Sequence, residues 1–172
     1  MSRTLLALMV PEAEPVVGSF RDQYDPAAQR GLGAHITLIY PFMDSEWLTP
    51  TLLTTLRDLV AEQPAPMFSL RQVQTFPSVV WLAPEPARLI VQLSAALEAA
   101  FPDHPKGGGA FPEYVPHLTA ARGVRGKKEA ICNELKARLA DYGPVYCWTA
   151  EVTLLASEGR RWEPLERFPL LH

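Results

Sequence analysis

Ala34-His35-Ile36-Thr37-Leu38 and Pro116-His117-Leu118-Thr119-Ala120 repeat one phrase, a histidine and a threonine two residues apart in an apolar run, at a spacing of 82 residues. Successive side chains of a strand point to opposite faces, so each phrase reads as a strand with His and Thr on a wet face and aliphatic residues on a buried one. Two such strands side by side offer one imidazole to accept a proton, another to donate one, and two hydroxyls to hold an anion. A single H-x-T would mean little. A lone histidine in an apolar strand is more often a hydrogen-bonded structural residue, and threonine is a good strand former in its own right. Repetition in matching slots is what assigns His35 and His117 to catalysis, and Thr37 and Thr119 to an anion.

Working outward from the first phrase, residues 4–10 read as a strand, and Glu14-Pro15 opens a helix with Val16, Val17, Phe20, Tyr24 and Ala27 on one face, closed by Gly31 and Gly33. The first His strand spans about 35–42. Thr49-Pro50 starts a second helix with Leu52, Leu53, Leu56, Leu59 and Val60 at helical spacing, and strands follow at 68–73 and 79–82. The order then recurs. Pro86 opens a helix, a loop over 102–112 with glycines at 107–109 leads to the second His strand, 127–140 is helical and closed by Gly143-Pro144, and 145–155 and 162–168 are the last strands. Strand-helix-strand-helix-strand thus occurs twice with the phrase in the same slot. This predicts one domain over residues 1–172, built from units of about 1–76 and 77–172 around a pseudo-twofold axis, with the two motifs facing across a cleft.

Composition limits the partners. The chain has 172 residues, 48% hydrophobic and 20% charged, with a formal net charge of −3. That is an ordinary globular balance without the basic field that holds long nucleic acid by phosphate contacts alone, so a small or terminal phosphate is the expected ligand. Cys132 and Cys147 are too few for a disulfide framework, and no zinc spacing exists, so reduced structural thiols, no metal, no cofactor and a cytoplasmic setting are expected. The apolar start of the chain stops at Pro11-Glu12 and reads as a strand rather than a signal peptide, and no stretch has the length of a membrane span. No obligate protein partner is evident.

Three further residues are candidates for substrate contact. Phe42 and Tyr114, at the edges of the His strands, are preferred over Tyr40, Phe76 and Trp81 as rings to stack on a base, since Tyr40 alternates away from His35. Arg122 offers positive charge, but strict alternation points it away from His117 unless the strand ends or bulges there. The glycines at 107–109 match no phosphate-binding fingerprint and read as a flap over the cleft. His104, in a turn sequence, and His172, at the C-terminus, are given no role.

With His35-Ile36-Thr37-Leu38 running into Ile39-Tyr40-Pro41-Phe42, His117-Leu118-Thr119-Ala120 running into Ala121-Arg122, and the intervening stretch 68–82, the chain resembles the 2H phosphoesterase superfamily, also called the 2'-5' RNA ligase-like family, over most of its length. Ala120 stands where a larger aliphatic residue is common, a difference of packing. The resemblance implies an α+β, bilobal fold with two mainly antiparallel sheets flanked by helices, and metal-independent chemistry on 2',3'-cyclic or 2'-5' linked phosphates of RNA ends or nucleotides, with 2'-5' joining as the reverse reaction. The alternatives are a cyclic phosphate of ADP-ribose as substrate, or a nucleotide-binding module of low turnover.

Overall fold

A computed structural model of the chain describes residues 2–102 and 113–172. Its strands are β1 (Arg3–Met9), β2 (His35–Ile39), β3 (Met67–Phe76), β4 (Val79–Glu85), β5 (Leu118–Arg122), β6 (Val145–Trp148), β7 (Glu151–Glu158) and β8 (Arg161–Pro169). The helices are α1 (Glu14–Tyr24), α2 (Pro26–Gln29), α3 (Pro50–Ala61), α4 (Arg88–Ala100) and α5 (Lys128–Tyr142). The glycine flap at 107–109 and the turn at His104 lie outside the described residues.

Local chemistry sets the boundaries. Thr49 caps α3 by accepting the Leu52 N–H at 3.1 Å, and α5 stops at Gly143, whose φ of +92° suits a residue without Cβ. The first helix does not run to Ala27 as its apolar spacing suggests. Pro26 disfavours the helical conformation for the residue before it, so Asp25 is extended and its carboxylate caps α2 by accepting the Ala27 N–H at 3.0 Å.

The strands form one antiparallel sheet of order β6-β3-β4-β5-β2-β1-β7-β8. This corrects the expectation of two sheets, because β2 and β5 are hydrogen-bonded neighbours and join the halves through the single pair Ile36↔Leu118. The predicted strand over 145–155 is likewise two strands. Thr149 donates its N–H and its hydroxyl to the Pro66 carbonyl, at 3.0 and 2.9 Å, and after this turn the chain leaves β6 at one edge for β7 beside β1. One half of the sheet, β5-β4-β3-β6, therefore comes from residues 67–148, inserted between the strands of the other half. A division near residue 76 crosses the β3–β4 hairpin, where Phe76 pairs with Val79. Pro164 and Pro169 sit in the edge strand β8, where a missing N–H is tolerated.

One sheet face is covered. Leu6, Leu8, Val10, Ile36, Leu82 and Leu118 are buried with Val16, Val17, Phe20, Leu56, Val60, Ile90, Leu93, Ile131 and Leu135 of the helices. On the opposite face only a small cluster forms, Leu5, Ala7, Leu32, Leu155 and Trp162, and the sheet there is otherwise more open. His35 pairs with Met9, and Thr37 with Ala7, so the first motif belongs to this second face.

Candidate active site

The seam between the two half-sheets organises the candidate site. Ile36 and Leu118 are fully buried on the helix side, so the residues flanking them point to the open side. Continuing the antiparallel register by one residue in each direction sets His35 across from Thr119 and Thr37 across from His117. The four residues thus form a crossed square, each imidazole facing the other motif's hydroxyl. Neither threonine hydroxyl has a hydrogen-bond partner among the described residues.

Each histidine is oriented in the same way. His35 Nδ1 lies 2.7 Å from the Gly33 carbonyl, and His117 Nδ1 lies 2.9 Å from the Val115 carbonyl, in both cases two residues upstream. A carbonyl only accepts, so Nδ1 carries the proton and Nε2 is left as the nitrogen able to exchange one. Tyr114 ties the motifs together, its hydroxyl donating to the Thr37 carbonyl at 2.7 Å while its ring packs at the edge of the core. Its hydroxyl is a brace between the strands.

Both His strands carry a β-bulge at the same point. Along β1 the partners step from Leu6↔Ile39 to Ala7↔Thr37, so Leu38 is the extra residue of β2. Along β4 they step from Val80↔Ala121 to Trp81↔Thr119, so Ala120 is the extra residue of β5. A bulge shifts the alternation by one. It returns Arg122 to the face of His117 and Thr119, and Tyr40, in the equivalent position, to the face of His35 and Thr37. The alternation rule alone had sent both away.

The aromatic candidates sort differently from the expectation. Phe42 is 0% exposed and meets Phe101 edge-on at 5.4 Å, so it belongs to the core and is removed from the substrate contacts. Phe76 and Trp81, passed over at the sequence level, line His117, with ring centroids 5.2 and 5.7 Å from the imidazole and 4.8 Å from each other. The missed signal was the hairpin at Pro77-Ser78, which folds Phe76 back beside β4.

The model of the 2'-5' RNA ligase superfamily matches residues 9–161. The chain belongs to that superfamily. Its fold is also that of several solved structures. E. coli LigT complexed with 3'-AMP matches with a TM-score of 0.64 at 23% identity, covering 99% of both chains. A protein described as a phosphoesterase matches with a TM-score of 0.66 at 22% identity, again over 99% of both. TT0787 of Thermus thermophilus matches with a TM-score of 0.59 at 20% identity, over 98% of this chain and 97% of that one. No curated protein matches the sequence significantly.

In this superfamily member the loop before His35 is held by a buried ionic network that sequence reading did not find. Arg21, 2% exposed, donates to the Leu32 carbonyl at 2.8 Å and to the Asp25 carboxylate at 3.3 Å, and Asp25 is 0% exposed. Glu14 lies 3.8 Å from Arg21 and accepts the Ala34 N–H at 2.6 Å. These groups pin the backbone on both sides of Gly33, whose carbonyl orients His35. The available signal was Arg21 standing four residues after Val17 within the apolar stripe of α1.

Burial lowers the His35 pKa from 6.5 to about 4, opposed by the Gly33 carbonyl and assisted by Arg21 and Arg122, while Asp25 acts upward. His117 is lowered as well, chiefly by burial, with the Val115 carbonyl opposing and Arg122 assisting. Arg122 is thus felt by both imidazoles. The His35 shift couples to stability. The unfolded chain takes up a proton near pH 6.5 that the folded one refuses until about pH 4, so stability present above 6.5 is lost as pH falls toward 4, by roughly 3 kcal/mol. Urea titrations between pH 7.5 and 4 should show this loss, and His35→Asn should flatten it. An unchanged slope in the variant would place the loss elsewhere.

Among the described residues, no three of His, Cys, Asp and Glu gather as metal ligands, and no helix is long and apolar enough to cross a membrane.

Proposed function

We propose that this protein cleaves a 2',3'-cyclic or 2'-5' linked phosphodiester at an RNA or nucleotide end by acid-base catalysis between His35 and His117, in a cytoplasmic setting. The crossed His/Thr square carries this reading. It sets both histidines and both threonines at neighbouring positions on one sheet face, with each Nδ1 held by a carbonyl and each Nε2 left to exchange a proton. One neutral imidazole takes a proton from water as the water oxygen bonds to phosphorus. The protonated partner gives its proton to the departing ribose oxygen as the P–O bond breaks, leaving a phosphomonoester. Thr37, Thr119 and Arg122 supply donors and positive charge to the non-bridging oxygens, where negative charge gathers. With a ribose 5'-hydroxyl in place of water, the same two proton transfers form the P–O5' bond as the P–O3' bond of the cyclic phosphate breaks and O3' takes a proton, which leaves a 2'-5' linkage. That LigT, a protein of the same fold, was crystallised with 3'-AMP and with phosphate supports a phosphate-bearing ligand.

The direct test incubates the protein with 2',3'-cyclic nucleotides, 2'-5' dinucleotides and ADP-ribose cyclic phosphate in EDTA, with products read by phosphorus NMR. Phosphomonoester formation is expected, and its absence for every substrate would end the catalytic reading. A pH profile adds a sharper expectation. In the free enzyme the base must be neutral and the acid protonated, and both imidazoles titrate below 6.5, so kcat/KM should peak on the acid side of neutrality. Arg122→Gln removes a charge that lowers both imidazoles, so the alkaline limb should move to higher pH even as kcat/KM falls. A limb that stays in place would show that Arg122 does not act on the histidines.

A further inference from the structure

At the far end of β2 from His35 lies a pocket of about 410 Å³ lined by Arg3, Arg30, Tyr40, Ser157, Gly159 and Trp162. Arg30 is prearranged there. Its Nε donates to the Arg160 carbonyl at 3.2 Å, its Nη2 donates to the Ser157 hydroxyl, and its guanidinium lies 5.9 Å from the Trp162 ring centroid. Arg3 donates to the Tyr40 hydroxyl at 3.3 Å. The Arg161 guanidinium is packed against Gly31, where a Cβ would come within 2.6 Å of it. Among the described residues no carboxylate forms an ion pair with Arg3, Arg30 or Arg161, and Asp44 acts on Arg3 only at longer range. Two guanidinium groups, Arg3 and Arg30, from separate parts of a chain with net charge −3 line this pocket without carboxylate partners among those residues. Such a concentration of unpaired positive charge beside a hydroxyl and two aromatic rings fits an anionic oxygen cluster.

The pocket shares the face of the histidines. Arg3, Leu5, Ala7 and Met9 alternate to one side of β1, Met9 pairs with His35, and the Leu38 bulge turns Tyr40 to that same side. Leu32 covers Leu5 and Ala7, but Thr37 is only partly buried and Tyr40 is 39% exposed, so the surface along β2 remains accessible. Five residues of strand separate His35 from Tyr40, about 15 Å. That is beyond the reach of one nucleotide. We propose that the Arg3–Arg30–Tyr40–Ser157 pocket is a second phosphate site, which holds a backbone phosphate of an oligoribonucleotide whose terminal cyclic phosphate lies between His35 and His117. The assignment rests on the catalytic reading above and makes a multi-nucleotide RNA end the preferred substrate.

The test compares a 2',3'-cyclic mononucleotide with a hexaribonucleotide ending in a 2',3'-cyclic phosphate, using wild type, Arg3→Ala and Arg3→Ala/Arg30→Ala. The wild type should favour the hexamer, and the double variant should lose about tenfold in kcat/KM for the hexamer, through KM, with the mononucleotide unchanged. Arg3→Ala alone, at an exposed position, guards against a folding defect at Arg30. Equal losses on both substrates, or none, would overturn the assignment. In parallel, anisotropy of a labelled hexamer ending in a 3'-phosphate should show weaker binding and a shallower salt dependence in the variants. If the wild type turns over neither substrate, the catalytic reading falls, and the anisotropy comparison still decides the pocket: identical binding by wild type and double variant would remove it.

Discussion

Replacing either His35 or His117 by asparagine should lower the rate of cyclic phosphodiester cleavage by about 10²–10⁴ while the protein stays folded. In the proposed mechanism the two imidazoles act on the same phosphorus in one step, one taking a proton while the other gives one. Either substitution therefore disables the pair, and the double variant should fall little below the weaker single one. Thr37→Val and Thr119→Val should each cost about 10²–10³, because a lost hydroxyl donor leaves charge on the non-bridging oxygens unmatched, and Val keeps the strand shape. Phosphorus NMR or chromatography of a 2',3'-cyclic nucleotide in EDTA reads all of these. Full activity in purified His35→Asn or His117→Asn protein would mean the histidines are structural, held by the Gly33 and Val115 carbonyls for packing alone.

The second large effect is expected far from any substrate. Asp25→Ala leaves the Arg21 guanidinium, 2% exposed, with only the half-exposed Glu14 carboxylate at 3.8 Å, so the loss should lie at the low end of the range for breaking a buried pair, about 3 kcal/mol. Arg21→Met together with Asp25→Leu, which removes both charges, should be less destabilising than Asp25→Ala alone. Urea denaturation at neutral pH tests the ordering, and a double variant as unstable as the single one would show that the hydrogen bonds to Leu32 and Ala27, rather than the charges, carry the stability. The network also reaches the chemistry. It fixes the backbone around Gly33, and Arg21 lowers the His35 pKa while Asp25 raises it, so the double variant should leave the acid limb nearly in place if His35 is the base.

Much of this architecture was legible along the chain, for local reasons. The helices at 50–61, 88–100 and 128–142 declare themselves by apolar spacing and by Thr49, Pro86 and Gly143 at their ends, since capping and φ preferences act between neighbours. The His-x-Thr phrases were readable for the same reason, because alternation is a property of a single strand. The misses share one physical cause. Whether 145–155 is one strand or two depends on the Pro66 carbonyl, which captures Thr149 from 83 residues away. Phe42 looked like a rim residue because nothing local announces the Phe101 ring that covers it. The burial of Arg21 and Asp25 likewise depends on the loop at 32–34, whose Leu32 carbonyl accepts from the Arg21 guanidinium.

The sequence by itself determined which residues the proposed chemistry draws on: two histidines and two threonines, each pair set on one side of a strand by the two-residue period of an extended chain. Only the tertiary structure decided how they meet. The single pair Ile36↔Leu118 crosses each histidine with the other motif's threonine, and the matching bulges at Leu38 and Ala120 turn Tyr40 and Arg122 onto the same face. Register and bulges are hydrogen-bond relations between strands that are distant in the chain, chosen by how two half-sheets pack against their helices. No local pattern encodes them.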